Sequence, residues 1–255
     1  MKTSLKSALI VIIQLLVSCQ EKPADNTVPL AWSPQNPADS KILRIFQETN
    51  FQFIETRSAA DQSLVTNPGQ RLIAKWHNTD TVTVFVDTRS YLYPSLVSKT
   101  QMMLDEFNKL VKKPYFKLTN NAEANVLIFR SDADAFQKYY QIRPSVERGF
   151  VGQVFYGDGN SFDLYALNNN GKAKLWLSDT YVVYFDRLLR HELGHILGLN
   201  HTRDTDSFMF PIAIAGAPNQ LSSHDQKVIQ ILYDPRIKVG TKYVDCEPVL
   251  KEYLK

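Results

Sequence analysis

His191-Glu192-Leu193-Gly194-His195-Ile196-Leu197-Gly198-Leu199-Asn200-His201 is the most informative stretch of this chain. Its pattern is H-E-x-x-H-x-x-G-x-x-H, and it holds three of the five histidines in the sequence. On a helix, His191 and His195 stand one turn apart on one face. That spacing lets two imidazoles reach one Zn²⁺ at about 2.0–2.1 Å each. Glu192 follows the first ligand, so its carboxylate can reach a water on the metal without binding the metal itself. Gly198 allows a backbone conformation that other residues resist, and the turn it permits can return His201 as a third ligand. Three protein nitrogens leave one position open, which is the arrangement of a catalytic zinc site rather than a structural one. Five fixed positions of this kind arise by chance in roughly one chain in ten thousand of this length.

The motif resembles that of the metzincin zinc peptidases, and the residues after it resemble the matrixin (matrix metalloproteinase-like) branch. Thr202-Arg203-Asp204-Thr205-Asp206-Ser207-Phe208-Met209-Phe210-Pro211 places Met209 where the family has the methionine of a tight turn beneath the metal. Pro211 stands where the astacin branch usually has a tyrosine. Leu221 to Tyr233 resembles the closing helix of matrixin catalytic domains. The resemblance is specific over 180–234, loose over 71–179, and absent from the first 70 and last 20 residues. It implies an α+β, zincin-like fold: a twisted mixed five-stranded sheet with two long helices, a zinc cleft, and a small C-terminal subdomain with a closing helix. It also implies that Pro211, Ile212, Ala213 and Ile214 wall the pocket for the side chain after the scissile bond. The same apolar segment reads equally well as core.

The N-terminus carries a different signal. Lys2 and Lys6 precede the apolar run Ala8 to Val17, which is too short to span a bilayer comfortably. Leu16-Val17-Ser18-Cys19 resembles a bacterial lipobox, in which cleavage exposes a cysteine for lipidation; the alternative is a plain signal with an accidental cysteine. The expected organisation is a signal over 1–18 and a lipid-anchored tether over 19–40 with Pro23, Pro29, Pro34 and Pro37. A segment over 41–70 follows, either a pro-segment or a support. A peptidase domain then occupies 71–235, with a tail over 236–255. The expected location is the bacterial cell envelope, on an outer membrane or cell surface, with lipid as the anchor. Apart from Cys19 the sequence has one cysteine, Cys246, so no pro-segment thiol can cover the metal, whereas a carboxylate latch stays open.

With 44% hydrophobic residues in 255, the chain can bury one domain plus appendages. The 29 basic residues, less Lys2 and Lys6, stand against 26 acidic ones. That balance gives no support for nucleic-acid binding. The expected partners are a protein or peptide substrate and a membrane, for a monomeric chain. Asp158-Gly159-Asn160 with Asp163 has oxygen ligands at Ca²⁺-like spacing, although an Asp-Gly turn is the commoner meaning. His77 and His224 are isolated.

The apolar patterns predict strands over Thr81–Asp87, Tyr115–Leu118, Ala124–Arg130, Gly149–Phe155 and Lys174–Leu177. They predict helices over Ser95–Lys113 and over Thr180–Leu199 behind an Asp179 cap, and a last helix opened by Ser222 and Asp225. An extended substrate is expected to add to the edge of the strand near 149–155. The function expected is zinc endopeptidase, with Glu192 as general base; the alternative is a non-catalytic surface lipoprotein that uses the zincin fold for binding. The intact Glu192 speaks against that alternative.

Overall fold

The computed structural model describes residues 30–56, 64–67, 72–77, 79–89, 95–144, 152–157, 171–179, 185–211 and 219–255. Helix α1 (Pro37–Phe51) comes first, followed by a hairpin of β1 (Phe53–Thr56) and β2 (Leu64–Asn67). Then come β3 (Thr81–Asp87), α2 (Leu96–Leu110), β4 (Tyr115–Leu118), β5 (Val126–Ser131) and α3 (Ala133–Tyr140). Strands β6 (Gly152–Tyr156) and β7 (Ala173–Ser178) precede α4 (Phe185–Ile196), α5 (Ser223–Leu232) and the terminal α6 (Glu247–Tyr253).

The architecture is α+β around a mixed five-stranded sheet of order β4-β3-β5-β7-β6. Four strands run parallel, and β6 pairs antiparallel with β7 at the edge, Val154 opposite Leu175. Parallel strands are normally covered on both faces, and β5 is buried at every position. Val126 and Ile128 face the larger core with Met103, Phe107 and Leu193, while Leu127 and Phe129 face a smaller one with Phe136, Phe155 and Trp176. The metal-motif helix α4 lies on the larger-core side.

All five predicted strands exist, Thr81–Asp87 and Tyr115–Leu118 with the predicted ends and the other three with described ends shifted by one or two residues; 149–151 lie outside the described residues. The predicted helix over Thr180–Leu199 is described only from Phe185 and stops at Ile196. Asp179 follows the end of β7, where its N–H donates to the Ser131 carbonyl (3.2 Å) and its own carbonyl accepts from Arg130; the residues it is predicted to cap, 180–184, lie outside the described residues. Helix α1 begins within the stretch over 19–40. Pro37 is the first residue of α1, and the Asn36 side chain accepts from the Asp39 N–H at 2.8 Å. Proline costs a helix nothing at that position, because its missing N–H would be unpaired there anyway. Ile42, Ile45, Phe46 and Thr49 then recur at helical spacing and are buried, α1 packing on α5. Within the tail over 236–255, Cys246, Val249, Leu250 and Leu254 are buried in the larger core.

Candidate metal centre

The bulky apolar residues of α4, Phe185, Leu189, Leu193 and Ile196, hold one face of the helix in the core. Its end is tied down with unusual completeness. The Leu199 N–H donates back to the Gly194 carbonyl and the Gly198 N–H to the His195 carbonyl, at 3.1 and 2.9 Å. This is the Schellman pattern, which needs a left-handed residue, and Gly198 supplies it with φ +97°. A Cβ there would also lie 2.2 Å from the Ala74 carbonyl oxygen. Three side chains satisfy further helix-end carbonyls: Tyr156 Oη donates to His195, Trp76 Nε1 to Ile196 and Tyr233 Oη to Leu197, at 3.0, 2.7 and 2.9 Å.

Past this turn the chain brings His201 back to face His191 and His195. One ligand atom from each of the three lies within 4.8 Å of the others, and the rings sit 4.8–5.2 Å apart. Each ring is oriented from behind. His191 Nδ1 donates to the Phe208 carbonyl, His195 Nδ1 to that of Leu199 and His201 Nδ1 to that of Ile54, all at 2.8 Å. A carbonyl can only accept, so these bonds place the proton on Nδ1 and leave the Nε2 lone pair of all three rings for a metal. Burial and the two neighbouring rings hold His191 well below the ordinary histidine range, which keeps it neutral. The donor set therefore fits Zn²⁺, which is bound by neutral imidazoles held in place by carbonyl partners. Among the described residues, no second cluster of this kind occurs.

Glu192 is 5% exposed and points away from the core toward β6. Burial alone pushes its carboxyl up to about 8; a cation bound beside it would draw that value down. A Cβ added to Gly152, the first residue of β6, would fall 2.5 Å from Glu192 Oε1. Glycine is therefore required there for the carboxylate to lie against the edge strand. We expect Gly152→Ala to fold and to keep its metal, but to lose about 10²-fold in turnover, because a displacement of about 1 Å at a reacting group costs that much. Undiminished turnover in a correctly folded Gly152→Ala would show that the position of Glu192 is not critical.

Met209 is fully buried, directly beneath α4: a Cβ on Gly194 would meet its Sδ at 2.3 Å. The turn carrying it is fixed by Asp225, the buried residue of the α5 capping box. The Asp225 carboxylate accepts from Ser207 Oγ (2.6 Å), the Phe208 N–H (3.3 Å) and both the N–H and Oγ of Ser222. Asp225 thus fixes the same Phe208 whose carbonyl orients His191. Pro211 is half-buried after this turn. Ile212, Ala213 and Ile214 lie outside the described residues, as do Asp158, Gly159, Asn160, Asp163 and Cys19. His77 and His224 are not part of the cluster.

Residues 171–234, which contain β7, α4, the His201–Met209 turn and α5, match the family model described as Matrixin. Over those residues the chain is similar to the matrixins. Matrix metalloproteinase-20 of Homo sapiens is 29% identical over 166 residues, covering 64% of this chain and 33% of that protein. The interstitial collagenase of Sus scrofa is 45% identical over 49 residues, which is 19% of this chain and 10% of that one. That of Oryctolagus cuniculus is 37% identical over 60 residues, 24% and 13% respectively. The chain thus spans a third or less of the length of these relatives. The solved structure of myroilysin aligns with a TM-score of 0.43 at 15% identity, covering 65% of this chain and 98% of that one.

Two features of the metal centre escaped the sequence. Gly152 carries no motif; only a glycine opening an edge strand hints at a close approach. The Ile54 carbonyl behind His201 is backbone and leaves no trace in residue type. Its strand comes from the segment whose role the sequence left undecided.

Proposed function

We propose that the chain is a zinc-dependent endopeptidase, with the metal held by His191, His195 and His201. The observation that carries this is the set of three Nδ1–carbonyl bonds, which leave a lone pair on each of three clustered rings. When bound, zinc supplies Lewis-acid polarisation of the scissile carbonyl and makes adjacent water more acidic. Glu192 accepts the proton of the attacking water and passes it to the leaving amine. An extended peptide bound alongside β6, the last strand of the sheet, would run its main chain past Glu192 at Gly152. The apolar Pro211-Ile212-Ala213-Ile214 favours an apolar side chain after the cleaved bond. Met209 packs beneath the metal and binds nothing.

The test is to incubate the purified chain with an unbiased peptide library, with and without a zinc chelator. Internal cleavage that stops on chelation and returns with zinc supports the proposal. Metal binding without cleavage would point to a binding module instead.

We also propose a lipid anchor at Cys19. The anchor is supported by the lipobox-like Leu16-Val17-Ser18-Cys19. Cys19→Ser should move the protein from the detergent-extracted to the soluble fraction or leave its signal uncleaved. An intact mass with an unmodified Cys19 would refute the anchor and leave the peptidase proposal standing.

A further inference from the structure

The third metal ligand sits in a loop that the N-terminal segment holds from three sides. The Asn200 N–H donates to the Thr49 carbonyl at 2.7 Å, just before His201. His201 Nδ1 donates to the Ile54 carbonyl. Just after it, the Glu48 carboxylate accepts from Thr202 Oγ1 and from the Arg203 N–H, the latter at 2.9 Å. Further out, Lys41 pairs with Asp204 and Asp206 at 3.1 and 2.9 Å, and Arg44 with Asp204 at 2.7 Å. Glu48 is 6% exposed and Thr202 fully buried, so these bonds, unlike the outer ion pairs, are shielded from competing water.

We propose that Glu48 is a positioning residue for the third metal ligand, and that residues 36–56 are a permanent part of the metal centre rather than a removable pro-segment. The inference rests on the zinc assignment above. His191 and His195 are adjacent on a helix that folds them into place, whereas His201 lies beyond its end. The loop that carries it has no regular structure of its own. Its backbone N–H groups at 200 and 203, the Thr202 hydroxyl and the His201 ring are bonded by Thr49, Glu48 and Ile54, all within seven residues of one another. Detaching the segment would remove four of the bonds that set where the His201 ring stands. A segment built to leave on activation would block the cleft; this one supports the ligand from behind.

The experiment uses the full chain and measures zinc affinity by competition with a chromogenic chelator, together with the visible spectrum of the Co²⁺-substituted protein. Both Thr202 Oγ1 and the Arg203 N–H donate to the same oxygen, Glu48 Oε2, and a glutamine oxygen can accept both. Glu48→Gln should therefore stay close to wild type in affinity and spectrum. Glu48→Ala should weaken zinc binding by about 10–100-fold, as loss of a group that orients a ligand does. A merely structural Glu48 would lower the melting temperature of the metal-free protein and leave affinity unchanged, and that result would overturn the proposal. Should Glu48→Ala fail to fold, Thr202→Val removes one of the two donors at constant shape. It should weaken zinc binding by a smaller factor, and unaltered affinity would again overturn the proposal. The native mass of the active, zinc-loaded protein must include residues 36–56; an active form lacking them would refute it outright. A wild-type chain that takes up no zinc would sink the zinc assignment and this inference together, whereas zinc-loaded wild type with unchanged variants would sink only the latter.

Discussion

Glu192→Ala lowers turnover of a peptide substrate by about 10²–10⁴-fold, the range of a positioned general base, and leaves one zinc per chain. The two halves of this expectation come from different observations. The rate falls because Glu192 is the buried carboxylate set against the edge strand, next in sequence to the first of the three converging histidines. The zinc stays because all three ring nitrogens facing the metal, and the three carbonyls behind them, belong to other residues. Replacing a buried carboxyl with a methyl group also removes a desolvation cost, the same one that pushes the Glu192 carboxyl up to about 8. The variant should therefore melt no earlier than wild type in the absence of metal. Steady-state kinetics, zinc analysis and a melting curve on one preparation check all three. Full turnover would mean that another group takes the proton.

His195→Ala should abolish metal binding. Two imidazoles remain, on different elements, and the Leu199 carbonyl loses its donor at the turn that delivers His201. Wild type should gain about 4 kcal/mol of stability at zinc concentrations near a thousand times its dissociation constant. The variant should gain almost none, so the comparison is the melting temperature with and without zinc. An equal zinc-dependent rise in both proteins would remove His195 from the ligand set.

What the sequence could reveal follows the range of the interactions. His191, Glu192, His195 and Gly198 are legible because helix periodicity and one turn relate them over eight positions. Ser222 and Asp225 are legible for the same reason, and the capping box is found where their spacing puts it. The strands show as runs of β-branched and aromatic residues, but their order in the sheet is set by packing between distant segments and leaves no local mark. Helix α1 was half visible: Asn36, Pro37 and Asp39 make a proper helix start, yet they lie in a proline-bearing stretch that reads as tether. Helix α3 was missed because a single residue, Phe136, carries its buried face. Glu48 and Gly152 could not be picked out at all, since each acts on a partner far along the chain.

The distance between those partners sets a timetable for the molecule. The Ile54 carbonyl and the His201 ring are 147 positions apart, and Glu48 and Thr202 are 154 apart. Contacts of such high order are the last that a chain can close. At ordinary synthesis rates of about 5–20 residues per second, residue 201 follows residue 54 by roughly 7–30 s. Over that interval the buried side of α1 has no α5 to pack against, and no three-nitrogen cluster exists anywhere in the growing polypeptide. The three-histidine cluster therefore cannot be completed until residue 201 has been made and its loop has met the segment that carries Glu48 and Ile54.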